Sequence, residues 1–171
     1  TRYADLARRC RIYANHGALV KHQHEMEGVN SRLDGLQAAL LSAKLPHVAA
    51  WTAGRRAAAL SYDRLLQGVG DLHLPRIREG ASHVFHLYVV QTDRRDELKG
   101  FLAERGVETA IHYPTALPLL PAYRYLGGDA AAFPRAAATQ SRILSLPMYP
   151  ELSEAMIEHV AGSIRAFFAR S

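Results

Sequence analysis

The stretch from Gly28 to Ala38 carries the polar side chains whose types and spacing could bind an anionic ligand. Asn30 and Arg32 come just before a run in which leucines recur at helical spacing, so both are predicted to lie at the entrance of a helix. The first turn of a helix has unpaired N–H groups and the positive end of the helix dipole, which suit a phosphate. An amide and a guanidinium placed there could hold such a group.

Ser31 and Asp34 give a simpler explanation of the same stretch. Ser31 could cap the first turn, and Asp34, three residues later, could reach back to the backbone of the cap, which makes a capping box. Leu33, Leu36 and Leu40 would then anchor the helix through one apolar face. A helix capped in this way needs no ligand, so both explanations remain open at this point.

His112 and Tyr113 form a second pair of candidate binding residues. They end a predicted strand over 109–113, and Pro114 holds the turn that follows, which is a common way to direct side chains into a cleft. An imidazole and a phenol can both hydrogen-bond a polar ligand. In the alternative, Tyr113 packs on its own domain and His112 bonds a backbone carbonyl, and substitution of either would then lower stability and leave ligand affinity unchanged.

Composition narrows the class of protein. The 171 residues with a hydrophobic fraction of 49% suit an ordinary globular chain, and the longest apolar run falls short of a membrane span, so we expect a cytoplasmic protein. The net charge of +5 comes from arginines scattered over separate predicted helices without interleaved aromatic residues, which does not favour nucleic-acid binding. Nine histidines and one cysteine lack the spacing of a zinc site, so we expect no metal.

The order of predicted elements indicates an α/β or α+β fold. Residues 1–67 should form the end of a large domain and long linking helices, and a small sheet covered by helices should form a C-terminal small α/β domain over residues 68–171. A loop is predicted up to Asn30. The predicted helices are 3–14, 32–44, 47–67, 94–105, 134–143 and 153–169, the last with Met156, Val160, Ile164 and Phe167 inward, and the predicted strands are 84–90, 109–113 and 144–146.

Several short segments occur in an order and spacing that resemble a known family. They are Asn15-His16-Gly17, His24, Gly28-x-Asn30-Ser31-Arg32-x-Asp34-x-x-Gln37-Ala38-Ala39, Ile111-His112-Tyr113-Pro114 and Leu144-Ser145-Leu146-Pro147-Met148-Tyr149-Pro150. Together they resemble the second half of the pyridoxal-phosphate-dependent sugar aminotransferases, of the fold-type-I, aspartate aminotransferase-like superfamily. The resemblance runs from about Tyr3 to Phe167.

The resemblance implies an activity and a role for each candidate residue. The family moves an amino group from glutamate to a nucleotide-linked keto sugar through pyridoxal phosphate, in a homodimer whose active sites lie at the subunit interface. Asn30 matches an asparagine that reaches the cofactor phosphate of the neighbouring subunit, with Arg32 in the same site. His112 and Tyr113 match the segment that approaches the sugar nucleotide. No catalytic residue is expected in this chain.

The family holds its cofactor covalently on a lysine, and the lysines of this chain do not match that position. Lys21, Lys44 and Lys99 each resemble a solvated surface lysine. We therefore expect the cofactor lysine upstream of Thr1, the chain to be the C-terminal portion of a longer enzyme, and the chain alone to be inactive. Two alternatives stay open: a non-catalytic dimerisation or interaction module that keeps the small-domain fold, and a same-family enzyme that acts on a cyclitol or other non-sugar substrate.

Overall fold

The computed structural model describes residues 1–170, which form two compact units. The first unit is Thr1–His47, and the second begins at Val48. The helix that begins at Val48 belongs to the second unit because its buried residues are part of that unit's core. The domain boundary expected between residues 67 and 68 remains a prediction about the longer protein.

The first unit consists of two helices and a short hairpin. Its elements are α1 (Ala4–Ala14), β1 (Ala18–Val20), β2 (Gln23–His24), α2 (Gly35–Lys44) and a 3-10 turn (Leu45–His47). The two strands pair antiparallel, with Ala18 opposite His24. This hairpin lies inside the segment that was predicted to be a loop, so that prediction was incomplete.

The predicted capping box at the start of α2 is wrong. Asp34 is the residue before the helix, but its side chain makes no capping bond, and α2 begins at Gly35. The N–H of Ser31 donates instead to the carbonyl oxygen of Ala14 at 2.9 Å, so Ser31 is tied to the end of α1. Asn30 and Arg32 therefore lie in the segment before the helix and not at its first turn.

The apolar residues predicted for one face of α2 are exposed in the described part of the chain. Leu36 and Leu40 are 76% and 57% exposed, and Leu33, just before the helix, is 63% exposed. α2 has no buried residue. An isolated helix of ten residues is marginal in water, and α2 buries no residue that would stabilise it by packing.

The second unit is a small antiparallel sheet covered by helices. Its elements are α3 (Val48–Leu66), β3 (Tyr88–Gln91), α4 (Arg95–Ala103), two 3-10 turns (Leu117–Leu119 and Pro121–Leu126), α5 (Pro134–Gln140), β4 (Ile143–Leu146) and α6 (Glu154–Phe168). In the β3–β4 pair, Tyr88 lies opposite Leu146 and Gln91 opposite Ile143. This mixture of helices and a small sheet confirms the predicted fold class.

The core of the second unit lies between the sheet and helices α3, α4 and α6. Its fully buried members include Tyr62, Leu66, Tyr88, Val90, Leu98, Leu102, Leu144 and Ile164. Each such aliphatic side chain contributes roughly 1.5–3 kcal/mol through removal from water. Within residues 1–170, no helix combines the length and apolarity needed to cross a membrane.

The inward face of α6 differs from the prediction at one position. Val160, Ile164 and Phe167 are buried as expected, but Met156 is 50% exposed and Ile157 takes the inward position. The helix begins after Ser153, whose Oγ accepts a hydrogen bond from the N–H of Met156 at 3.3 Å. Met156 thus lies in the first turn beside the cap.

Two predicted strands are shorter in the structure. β3 covers 88–91 only, because Phe85 has a φ of +50°, which a residue in a strand does not adopt. The strand predicted over 109–113 is reduced to one bridge, in which Ala110 pairs with Ser145. The sheet therefore has two full strands with single bridges at its sides.

Candidate functional site

Asn30 is held by backbone pairing between the end of α1 and the segment before α2. It pairs with Asn15 in an isolated antiparallel bridge. Three hydrogen bonds surround this bridge: Val29 N–H to the Tyr13 carbonyl (2.8 Å), His16 N–H to the Val29 carbonyl (3.0 Å) and Ser31 N–H to the Ala14 carbonyl (2.9 Å). The backbone on both sides of Asn30 is therefore fixed within the first unit.

Two glycines allow the chain to come this close to itself. Gly17 has a φ of +79°, and a Cβ there would overlap the carbonyl oxygen of Met26. A Cβ on Gly28 would overlap the backbone nitrogen of Gly17 and would lie 2.6 Å from the carbonyl oxygen of Tyr13. Because neither position has room for a side chain, the position of Asn30 depends on glycine at both.

The side chains of Asn30 and Arg32 contact each other and are otherwise exposed. Nε of Arg32 donates to Oδ1 of Asn30 at 3.1 Å. In the described part of the chain, the amide N–H groups of Asn30 and the terminal nitrogens of Arg32 have no protein partner. These donors, one set of them charged, fit a phosphate, which accepts several hydrogen bonds.

The three lysines of the chain lie on the surface. Lys21, Lys44 and Lys99 are all exposed. Lys21 is in the turn between β1 and β2, Lys44 is the last residue of α2, and Lys99 is in α4. The exposed donors of Asn30 and Arg32 fit the phosphate of a cofactor, and no lysine among the described residues is buried to hold its ring.

His112 and Tyr113 have different surroundings in the structure. His112 is half-buried and lines a cleft of about 700 Å³ beside β4 and the start of α6. Tyr113 is 72% exposed, so it does not pack on its domain. Its ring stands edge-on to that of His112, with 5.6 Å between the ring centroids. His112 thus faces the cleft, while Tyr113 lies on the surface.

Buried tyrosines support the wall of this cleft. The hydroxyl of Tyr62 donates to the carbonyl oxygen of Pro147 at 3.1 Å, and Pro147 lines the cleft. The hydroxyl of Tyr88 donates to Oδ1 of Asp63 at 2.6 Å, which joins β3 to α3. Burial raises the pKa of both phenols, and the Asp63 carboxylate raises the pKa of Tyr88 further. Both tyrosines are therefore neutral supports.

Ser145 is a polar residue at this site that the sequence did not single out as a candidate. It is 4% exposed in β4, and its Oγ lies 2.9 Å from Nδ1 of His112. A serine inside the otherwise apolar strand Ile143–Leu146 was the available signal, because a buried hydroxyl requires a partner.

The histidines do not assemble a metal site among residues 1–170. No group of three histidine, cysteine or acidic side chains there is arranged to hold a metal ion. His24, in the densest histidine stretch, places Nδ1 2.8 Å from the carbonyl oxygen of His16, just before the hairpin.

Comparison with known proteins gives matches along nearly the whole chain. The family described as the DegT/DnrJ/EryC1/StrS aminotransferase family matches residues 1–165. The "Pleiotropic regulatory protein" of Geobacillus stearothermophilus is 43% identical over 166 residues, which cover 96% of this chain and 45% of that protein. The dTDP-3-amino-3,4,6-trideoxy-alpha-D-glucose transaminase of Streptomyces venezuelae is 38% identical over 166 residues, or 97% of this chain and 44% of that enzyme.

A solved structure shows the same fold. The crystal structure of S. venezuelae DesV in complex with a ketimine intermediate superposes with a TM-score of 0.96 at 37% sequence identity. The match covers 100% of this chain and 46% of that one. The chain thus spans a little under half the length of the relatives it matches.

Proposed function

The chain belongs to the DegT/DnrJ/EryC1/StrS aminotransferase family, and we propose that it is the C-terminal part of a pyridoxal-phosphate-dependent enzyme that moves an amino group from glutamate to a nucleotide-linked keto sugar. The observation that carries this proposal is the likeness to S. venezuelae DesV over the whole chain. The dTDP-sugar transaminase among the relatives supports a nucleotide-linked sugar as the substrate class.

Asn30 and Arg32 are the residues that would hold the cofactor phosphate. The amide N–H groups of Asn30 and the guanidinium of Arg32 are exposed donors beside each other, and charge-assisted bonds to phosphate are among the stronger hydrogen bonds in proteins. When bound, pyridoxal phosphate carries the amino group between the two substrates. Asn30 and Arg32 would anchor its phosphate and so orient its ring.

The site is completed by a second subunit in this proposal. Asn30 reaches the cofactor of the neighbouring subunit in a homodimer, and the cofactor lysine comes from outside this chain. The exposure of all three lysines supports this division of the site. The chain alone would therefore bind cofactor weakly and would not transfer amino groups. A cytoplasmic location remains the prediction made above.

His112 and Tyr113 would contact the sugar nucleotide. His112 lines the cleft, and its ring nitrogen Nε2 has no protein partner among the described residues. The Tyr113 hydroxyl is on an exposed ring next to it. Both groups can hydrogen-bond a pyrophosphate oxygen or a sugar hydroxyl, so they would position the keto sugar and leave the chemistry to the cofactor.

The test compares the full-length protein with the 171-residue chain. The full-length protein should show the near-ultraviolet and visible absorbance of bound pyridoxal phosphate and should convert a dTDP-linked keto sugar to its amino sugar with glutamate. The 171-residue chain should do neither. Covalent attachment of the cofactor to Lys21, Lys44 or Lys99 would overturn this account of the lysines.

The alternatives give different results in the same test. A full-length protein without cofactor absorbance and without amino transfer would be the non-catalytic dimerisation or interaction module. Cofactor absorbance with amino transfer to a cyclitol, and none to keto-sugar nucleotides, would keep the family chemistry and replace the substrate.

A further inference from the structure

Ser145 has a single hydrogen-bonding group that the sheet does not use. Its N–H donates to the carbonyl oxygen of Ala110 at 2.7 Å, and its own carbonyl accepts from the N–H of Ala110 at 3.2 Å. The side chain is buried in β4, between Leu144 and Leu146 in sequence. The hydroxyl is therefore the one group of Ser145 left to act outside the backbone pairing.

The hydroxyl contacts one ring nitrogen of His112. Oγ lies 2.9 Å from Nδ1, and within residues 1–170 Oγ has no other hydrogen-bond partner. A buried hydroxyl that leaves its hydrogen without an acceptor is destabilised, so the Ser145 hydroxyl is expected to donate and Nδ1 to accept. A neutral imidazole whose Nδ1 accepts carries its hydrogen on Nε2.

We propose that Ser145 is a positioning residue that holds His112 with its hydrogen on Nε2, so that His112 offers an N–H donor to an oxygen of the sugar nucleotide in the cleft. This proposal rests on the substrate role proposed above for His112. The two bonds between Ser145 and Ala110 fix the serine in the sheet, so its hydroxyl can hold the ring at a constant orientation. Without it, the ring could adopt either neutral tautomer.

The first test reads the tautomer directly. In full-length protein labelled with ¹⁵N-histidine, the His112 signals should show an unprotonated Nδ1 and a protonated Nε2. The variant Ser145→Ala should shift these signals toward a mixture of tautomers. A wild-type spectrum with the hydrogen on Nδ1 would overturn the proposal, and that measurement needs no variant to fold.

The second test measures how Ser145 affects KM for the sugar nucleotide. Ser145→Ala should raise KM for the sugar nucleotide about fivefold, in the range expected for one hydrogen bond, and leave kcat within about twofold. Ser145→Thr keeps the hydroxyl and should restore most of the KM. The matched control is Ser163→Ala on α6, because Ser163 is also buried but is not a cleft residue; its KM should equal that of the wild type.

The outcomes separate this proposal from the one on which it rests. If His112→Ala raises KM but Ser145→Ala changes neither KM nor the ¹⁵N signals, the role of Ser145 is wrong and the role of His112 stands. If His112→Ala leaves KM unchanged, the substrate role of His112 fails, and the role of Ser145 fails with it. A wild-type enzyme that transfers no amino group at all would instead overturn the proposed function.

Discussion

Arg32 Nε donates to Asn30 Oδ1 over 3.1 Å, so the oxygen of the amide is already occupied and its N–H groups remain for a ligand. The same bond holds the guanidinium beside the amide. The pair therefore presents donors, one of them charged, on a backbone that is itself fixed by the bridge between Asn15 and Asn30. This arrangement favours an anion over a cation or an apolar group.

Asn30→Ala in the proposed full-length dimer should weaken cofactor retention about tenfold, because a hydrogen bond to a charged group is lost. In a heterodimer of one wild-type and one variant subunit, only one of the two sites should lose cofactor on dialysis, as read from absorbance. Gln23→Ala is the control, since Gln23 is an exposed amide of the same unit. Equal retention in the Asn30 and Gln23 variants would contradict the phosphate role.

Gly28→Ala should destabilise the first unit and release Asn30 from its position. A Cβ there meets backbone atoms of Gly17 and Tyr13, which cannot move without breaking the pairing around Asn30. Hydrogen exchange at residues 13–31 should rise, and cofactor retention should fall. Gly35→Ala is the matched control: nothing lies within 4 Å of its added Cβ, and alanine should stabilise α2 by up to about 1 kcal/mol. Equal protection in both variants would show that the close approach is unimportant.

Tyr113→Phe should raise KM for the sugar nucleotide several-fold without a change in thermal midpoint. The side chain is 72% exposed, and surface substitutions of this kind usually change stability by less than about 0.5 kcal/mol. Tyr125→Phe removes the hydroxyl from another exposed tyrosine, 80% accessible, and should change neither quantity. A lower midpoint with an unchanged KM for Tyr113→Phe would assign the residue a purely structural role.

The second unit should lose stability above about pH 10, because a tyrosine in the unfolded chain ionises there. The pKa of Tyr88 is raised in the folded state, so its contribution is fully present below the unfolded pKa and falls as the pH rises toward the folded value. Between the unfolded and the folded pKa, one such tyrosine lowers the free energy of unfolding by up to about 1.4 kcal/mol per pH unit. Urea unfolding midpoints between pH 9 and 11 measure this loss of stability.

Tyr88→Phe should flatten this alkaline slope, although the variant also loses the hydrogen bond to Asp63 and starts from lower stability. Tyr125→Phe, at a tyrosine that is 80% exposed, is the control for loss of a phenol. Identical slopes for the wild type and Tyr88→Phe would show that Tyr88 does not control the alkaline loss.

The helices of the second unit could be read from the sequence because local signals and core packing agree there. α4 lies within the predicted range 94–105 and buries Leu98, Phe101 and Leu102, and α6 begins after its cap residue Ser153. The strands were harder, since their ends depend on partners that are remote in sequence. The partner of β3 is β4, where Leu146 lies opposite Tyr88, and this pairing between remote segments sets where β3 begins.

The candidate sites also divide into what local sequence signals predict and what contacts between remote residues decide. Asn30 and His112 could be selected from residue type and order, but their surroundings depend on pairing with Asn15 and Ser145, which no local pattern specifies. The capping box failed for this reason: Ser31 is bonded to the end of α1, and a short-range motif cannot compete with that longer-range pairing. Whether Asn30, Arg32, His112 and Tyr113 bind their proposed ligands stays a prediction.

The uncovered leucines in and just before α2 have a practical consequence for work on the isolated chain. Leu33, Leu36 and Leu40 place adjoining apolar surface in water, and such surface promotes self-association at the concentrations used in solution spectroscopy. A shorter piece starting at Val48 would omit these leucines and keep every member of the buried cluster, from Ala58 to Phe167. That piece is the better starting material for crystallisation or for resonance assignment of the cleft.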